Sequence, residues 1–197
     1  MKANKKVILV CGVIGSGKDY YAQQYIIDNP DERVGIYKLS NKLKDLVELE
    51  FGKIDDYEAF KLKNREWLQN KADEMKKIYG DTYFAKECFR SIRFDDYDTI
   101  IITDFRFFYE LKFFNEASEL FRDFDVYWTL CDYHSERYYD KNTHNSEKMA
   151  QFIKNNKNLL LDYEEDNGLY DTNTLETLLF RLQQRELNSS WYANLKF

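Results

Sequence analysis

No apolar run in the 197 residues approaches the roughly 18 needed for a membrane-spanning helix, so no membrane partner is expected. Cations are also short. There are 29 Lys and Arg against 35 Asp and Glu, a formal net charge of −6. Proteins that coat nucleic acid carry a basic footprint, so stable nucleic-acid binding is not expected. A small phosphorylated molecule stays compatible, because it needs only a few focused cations. The three cysteines, Cys11, Cys88 and Cys131, are odd in number, widely spaced and without a CxxC pair. They give no disulfide framework and suit a reducing cytoplasm. The only two histidines, His134 and His144, could join Cys131 around zinc, but no fourth ligand stands at a convincing spacing. The single proline, Pro30, follows Asn29 at the end of a helical pattern. Internal repeats and low-complexity linkers are absent. The basic, then apolar, opening stretch leads into Gly-Ser-Gly-Lys-Asp instead of a small-residue cleavage site, so it reads as a buried strand and not a signal peptide.

What the chain does have is core-forming material. Hydrophobic residues make up 44% and aromatics 17%, enough to exclude disorder, while 32% charged residues can cover the surface. The length fits one compact domain over residues 1–197. Short β-branched runs at 7–11, 34–39, 99–103 and 126–131 read as strands, with a further short strand at 159–163. Helical patterns cover 18–28, 108–122 and 174–186, the last capped by Thr172 or Asn173. Residues 41–93 are helical with breaks at Gly52 and Gly80-Asp81, and 132–156 is the most polar stretch. Alternating strands and helices predict an α/β fold, a parallel sheet flanked by helices on both faces. The insertions at 41–93 and 132–156 then follow strand carboxyl ends, where such sheets bind ligands.

The strongest motif runs Gly12-Val13-Ile14-Gly15-Ser16-Gly17-Lys18-Asp19. It matches G-x-x-x-x-G-K between an apolar strand and a helix, and places Asp where the pattern has Ser or Thr. Glycines let backbone N–H groups approach phosphate oxygens, the helix start adds its positive dipole end, and Lys18 adds a mobile charge. Residues 12–19 are therefore expected to bind phosphate. A carboxylate beside polyphosphate is repulsive without a cation, so Asp19 points to Mg²⁺; the bland alternative is an acid favouring a helix start.

These residues resemble the deoxynucleoside monophosphate kinases of tailed bacteriophages, a branch of the adenylate-kinase-like P-loop enzymes, and the resemblance covers most of the chain. Gly17-Lys18-Asp19 is similar to that family's loop ending, and Leu43-Lys44 to its Leu-Lys stretch. Arg65, Leu68 and Gln69 resemble its Arg-x-x-Leu-Gln helix, and Gly80-Asp81-Thr82-Tyr83-Phe84 its Gly-Asp-aromatic turn. Thr103-Asp104-Phe105-Arg106-Phe107 followed by Glu110 resembles its Thr-Asp-x-Arg-Phe-Pro-Asn-Glu motif, with Phe108-Tyr109 replacing Pro-Asn. His144-Asn145-Ser146-Glu147 resembles its His-Pro-Ser-Glu motif, with Asn145 replacing Pro.

The resemblance implies a P-loop kinase fold, with 41–93 as the monophosphate-binding insertion and 132–156 as a lid. It implies transfer of the ATP γ-phosphoryl group to a (deoxy)nucleoside monophosphate in the cytoplasm, of the host if the chain is phage-encoded; a homodimer enters by analogy alone. Asp104, expected to end its strand, would join Asp19 at the metal, or simply cap a turn. Arg106 would clamp the migrating or acceptor phosphate, or pair with Glu110, which could also orient it. Lys42, Lys44, Arg65 and Gln69 would face the acceptor, although each cation could equally be a solvated surface charge. Trp67, Tyr83 and Phe84 could stack on a base or pack the core. Arg137, Lys141 and His144 would act from the lid, or lie in an exposed loop. Lys18, Asp19, Asp104, Arg106 and Arg137 are thus the expected catalytic set. Rival readings are another small-molecule kinase, of the dephospho-coenzyme A or phosphomevalonate type, and a nucleotide-dependent regulator.

Overall fold

A computed structural model describes residues 5–13, 15–121, 124–131, 153–155, 169–171 and 177. Five strands, β1 (Lys5–Cys11), β2 (Val34–Tyr37), β3 (Thr99–Phe105), β4 (Phe124–Leu130) and β5 (Tyr170–Asp171), form one sheet in the order β2-β3-β1-β4-β5. β1 runs parallel to both β3 and β4, and β5 lies antiparallel on β4. The sheet is therefore mostly parallel. Its central strand reads as a continuous apolar run because both faces are covered: Val7 to Cys11 are all fully buried.

The helix α1 (Lys18–Asp28) follows β1, and α6 (Phe108–Phe121) joins β3 to β4. Ala22 of α1 packs on Ile8, Val10 and Ile101, with Tyr21 and Tyr25 alongside, so α1 covers the face of β1 that carries Ile8 and Val10. α6 packs against β4. From β1 the chain passes over β3 to reach β2; from β3 it passes over β1 to reach β4. The two crossings run in opposite directions and leave a switch point at the carboxyl end of β1, the place where open α/β sheets take ligands.

At the opposite end, the amino ends of the strands are tied by polar bonds. The Tyr25 and Thr99 hydroxyls both donate to Glu32 Oε2, at 3.2 and 2.5 Å, and Lys6 Nζ donates to Glu32 Oε1 at 3.4 Å. Burial pushes the Glu32 carboxyl upward, but the Thr99 hydroxyl and the Lys6 ammonium outweigh it and hold the group below the ordinary carboxylate range.

Residues Tyr37–Ile92 form a second compact unit, which begins at the last residue of β2 and holds α2 (Asn41–Phe51), α3 (Tyr57–Lys63), α4 (Arg65–Tyr79) and α5 (Tyr83–Ser91). α5 packs on α2 and α4, and α3 on α4, around Val47, Leu68, Met75, Phe84, Ala85 and Cys88. The Asp56 side chain caps α3 by accepting from Ala59 N at 2.9 Å. The expected breaks at Gly52 and Gly80 are present, and Asn64 separates α3 from α4 as a further one.

Several bounds differ from the sequence reading. β1 starts two residues earlier, because Lys5 and Lys6 pair with Phe124 and Asp125 while their long stems stay half-buried. β2 stops at Tyr37 and not at residue 39. β3 runs on through Asp104 to Phe105, so Asp104 lies within the strand and not at its end. The strand expected at 159–163, the cap at Thr172 or Asn173 and nearly all of the expected helix at 174–186 lie outside the described residues.

Candidate functional site

At the carboxyl end of β1 the chain turns sharply into α1. Gly15 and Gly17 take φ of 74° and 94°, a left-handed conformation that favours glycine, and Gly17 stands at the amino end of α1. The Ser16 N–H donates to Val13 O at 3.1 Å and the Tyr21 N–H to Gly17 O at 2.8 Å, closing the turn and starting the helix. Lys18 folds back over the turn, its ammonium donating to the carbonyls of Gly12 at 2.7 Å and Val13 at 2.6 Å. The Ser16 hydroxyl is fully buried and has no hydrogen-bond partner among the described residues. Ile14 lies outside the described residues.

Both neighbours of β1 brace this turn. On the β4 side, Cys131 N donates to Cys11 O at 2.8 Å, and the Cys131 thiol donates to Ser16 O at 3.2 Å. Gly12 sits so close to this strand end that an added Cβ would lie 2.7 Å from the Cys131 carbonyl oxygen. On the β3 side, the Thr103 hydroxyl donates to Asp19 Oδ1 at 3.0 Å.

Next to that second brace the β1–β3 pairing carries a β-bulge. Leu9 pairs with Ile102 and Cys11 with Phe105, so two residues of β3, Thr103 and Asp104, oppose Val10 alone. Leu9 and Cys11 are two apart and share a face, whereas their partners are three apart. Thr103, two residues after Ile101, keeps to the side of Val10, which is the side α1 covers, and the extra residue breaks the alternation after it so that Asp104 falls to that side as well. In an unbroken strand Asp104 would point to the other face. Both residues are buried. The bulge was not legible in the sequence; the only signal was a polar pair following four isoleucine and threonine positions in an otherwise apolar strand.

Arg106 lies half-buried in the connection between β3 and α6. Glu110, in the first turn of α6, is buried, and its Oε2 accepts from the backbone N–H groups of Arg106 at 2.8 Å and Phe107 at 3.0 Å. This is the return half of a capping box: the carboxylate takes up N–H groups that the helix start leaves unpaired. It fixes the backbone on which Arg106 is carried.

The remaining candidates belong to the helical unit. Lys42, on α2, forms ion pairs with Asp45 at 3.6 Å and with Glu87 of α5 at 3.7 Å. Lys44 pairs with Glu48 at 4.0 Å and lies 5.5 Å from the Tyr57 ring centroid. Both lysines thus have uses inside the unit. Arg65 opens α4 and is exposed, and Gln69 is half-buried one turn further on. Trp67 packs edge-on against Phe51 with ring centroids 5.0 Å apart, Tyr83 stacks on Tyr79 at 5.0 Å, and Phe84 is buried. Arg137, Lys141, His134 and His144, and nearly all of the 132–156 region, lie outside the described residues.

The structure therefore joins the residues 12–19, Thr103, Asp104 and Cys131 around one strand end, with Arg106 and Glu110 just beyond β3. Among the described residues no three His, Cys, Asp or Glu side chains gather as a metal-binding group, and no helix is long and apolar enough to cross a membrane. No protein-family model and no curated protein matches the chain.

Proposed function

We propose that this chain is an ATP-dependent kinase of (deoxy)nucleoside monophosphates, built on a P-loop fold. The observation that carries the reading is the glycine turn of residues 12–19, set at the switch point of the sheet and spanned by the Lys18 ammonium. Backbone N–H groups and the start of α1 favour an anion there. Phosphate oxygens would draw Lys18 from two neutral carbonyls, because a hydrogen bond between charged partners is the stronger one. The buried, unpartnered Ser16 hydroxyl also suits a loop made to meet a polar ligand, since such a group is otherwise costly to bury.

The acids suit Mg²⁺. Asp19 and Asp104 are hard oxygen donors, and a cation that keeps much of its water takes one or two carboxylates plus phosphate oxygens instead of a full protein cage. When bound, the ion neutralises charge on the β- and γ-phosphates. The acceptor's phosphate oxygen attacks the γ-phosphorus in line; the new P–O bond forms as the bond to the bridging β,γ-oxygen breaks, and ADP leaves. The attacking oxygen is already anionic, so no general base is needed, and rate comes from positioning and charge neutralisation. Lys18 holds the transferring end of the donor, and Arg106, on its capped backbone, takes negative charge on the migrating group. Lys42, Lys44, Arg65 and Gln69 are the residues proposed to serve the acceptor, with Arg137 and His144 as further candidates outside the described residues.

A coupled ADP-release assay over the four deoxynucleoside monophosphates tests the reading. ADP formation that depends on at least one of them is the expected result. Hydrolysis independent of any acceptor, or turnover only with dephospho-coenzyme A or phosphomevalonate, would contradict it.

A further inference from the structure

The usual phosphate-loop pattern puts a hydroxyl after the lysine and an acid on a neighbouring strand. Here Asp19 stands at the hydroxyl's place, and a hydroxyl comes from the strand: Thr103 Oγ1 donates to Asp19 Oδ1 at 3.0 Å. Thr103 is buried in β3, directly after Ile100, Ile101 and Ile102. A hydroxyl buried there costs stability unless it is used, and a valine would fill the same space in a strand of isoleucines. Its direction follows from the strand's alternation, because Thr103 lies two residues after Ile101, on the face that α1 covers. Asp19 itself is exposed in the first turn of α1. An exposed aspartate samples several rotamers, and the bond to a rigid central strand removes that freedom before any ligand arrives.

We infer that Thr103 is a positioning residue that holds the Asp19 carboxylate in the orientation needed to bind the nucleotide's divalent cation. This rests on the reading of residues 12–19 as the site for metal-bound ATP, and not on the identity of the acceptor. The contribution is to metal affinity in the nucleotide complex: Thr103 touches neither nucleotide nor cation, and it acts by keeping one carboxylate oxygen engaged and the group's plane fixed.

Thr103→Val removes the hydroxyl at nearly constant volume, and Thr103→Ser keeps it. Mn²⁺ binding to the protein–ATP complex, followed by electron paramagnetic resonance, provides a readout separate from turnover. Thr103→Val is expected to weaken Mn²⁺ binding about tenfold, Thr103→Ser to stay within about twofold of the wild type, and metal-free ATP binding in EDTA to be the same for all three. Equal Mn²⁺ affinity in the wild type and Thr103→Val would overturn the inference while leaving the kinase reading intact. So would equal losses in Thr103→Val and Thr103→Ser, which would mark a packing role. A wild type that binds Mn²⁺–ATP with the expected dependence on Thr103, yet transfers phosphate to no monophosphate, would support the inference and remove the kinase reading. A wild type that binds no Mn²⁺ with ATP would overturn the inference.

Discussion

Gly12 carries no Cβ, and the turn after β1 depends on that. A methyl group there would lie 2.4 Å from Ser16 Oγ and 2.7 Å from the Cys131 carbonyl oxygen, and the second contact is backbone that cannot rotate away. Gly12→Ala should therefore destabilise the fold by about 1–3 kcal/mol, read by urea denaturation, and weaken ATP binding as the turn opens. Unchanged stability and unchanged binding would show that the close approach to β4 is immaterial. At this scale the sequence made the lysine, the glycines and the acid after them visible, because their spacing follows from what a phosphate requires. Thr103 stands in the Thr-Asp-x-Arg motif and Cys131 is a candidate metal ligand, but neither signal tells of a contact with this turn. Their parts arise from pairing across strands, more than 80 residues apart in the chain for Thr103 and Asp19, and a spacing motif cannot express that.

At the scale of elements, two polar contacts carry testable weight. Glu110 spends its carboxylate on the N–H groups at the start of α6. Glu110→Ala would strand both and should cost about 1–3 kcal/mol in urea denaturation, with Glu110→Gln costing less because it keeps one acceptor oxygen. Equal stability of Glu110→Ala and the wild type would refute the cap. Arg33 and Asp98 tie the start of β2 to the start of β3. The guanidinium donates twice to the Asp98 carboxylate, at 2.7 and 3.0 Å, the Arg33 N–H donates at 3.1 Å, and Asp98 N donates back to Arg33 O at 2.8 Å. The side-chain bonds from Arg33, then its backbone N–H, hold the Asp98 carboxyl down at about 2. The unfolded value is near 3.9, so the folded state binds its proton less readily. The contact's stabilisation is then full above about pH 4 and fades as the pH falls toward 2. Asp98→Asn should be less stable than the wild type at pH 7, with the gap narrowing across that window; a gap constant from pH 7 to pH 2 would exclude the linkage.

The elements themselves were legible to different degrees for physical reasons. α1 could be bounded from sequence because Gly17 opens it and Asn29-Pro30 closes it. The separation of α3 from α4 was hidden, since the Lys- and Glu-rich surface around Asn64 continues unchanged through the break. β5 is two residues long, and its place is set by pairing with Tyr127 and Trp128 and by the Trp128 indole N–H donating to Asp171 O at 2.9 Å. No period can be read from two residues.

For the whole molecule, alternating strands and helices foretold an α/β sheet, because a strand buried on both faces must be apolar throughout and Val7 to Cys11 are. Residues Tyr37–Ile92 form a compact unit by themselves, since their Leu, Val, Phe and Met residues close a core of their own. The acceptor proposed for that unit comes from resemblance alone, because the side chains proposed for it are of types also ordinary for a helix surface. Lys42 and Lys44 illustrate this, each already paired within the unit. Phosphoryl transfer is the proposed chemistry, and label transfer follows it without a coupling enzyme. With ATP radiolabelled at the γ-phosphorus, Mg²⁺ and each deoxynucleoside monophosphate in turn, label should move onto at least one of them to give a labelled diphosphate, and Lys18→Ala should lower the rate by about 100-fold or more. Label released only as inorganic phosphate, or retained in ATP with every monophosphate, would contradict it.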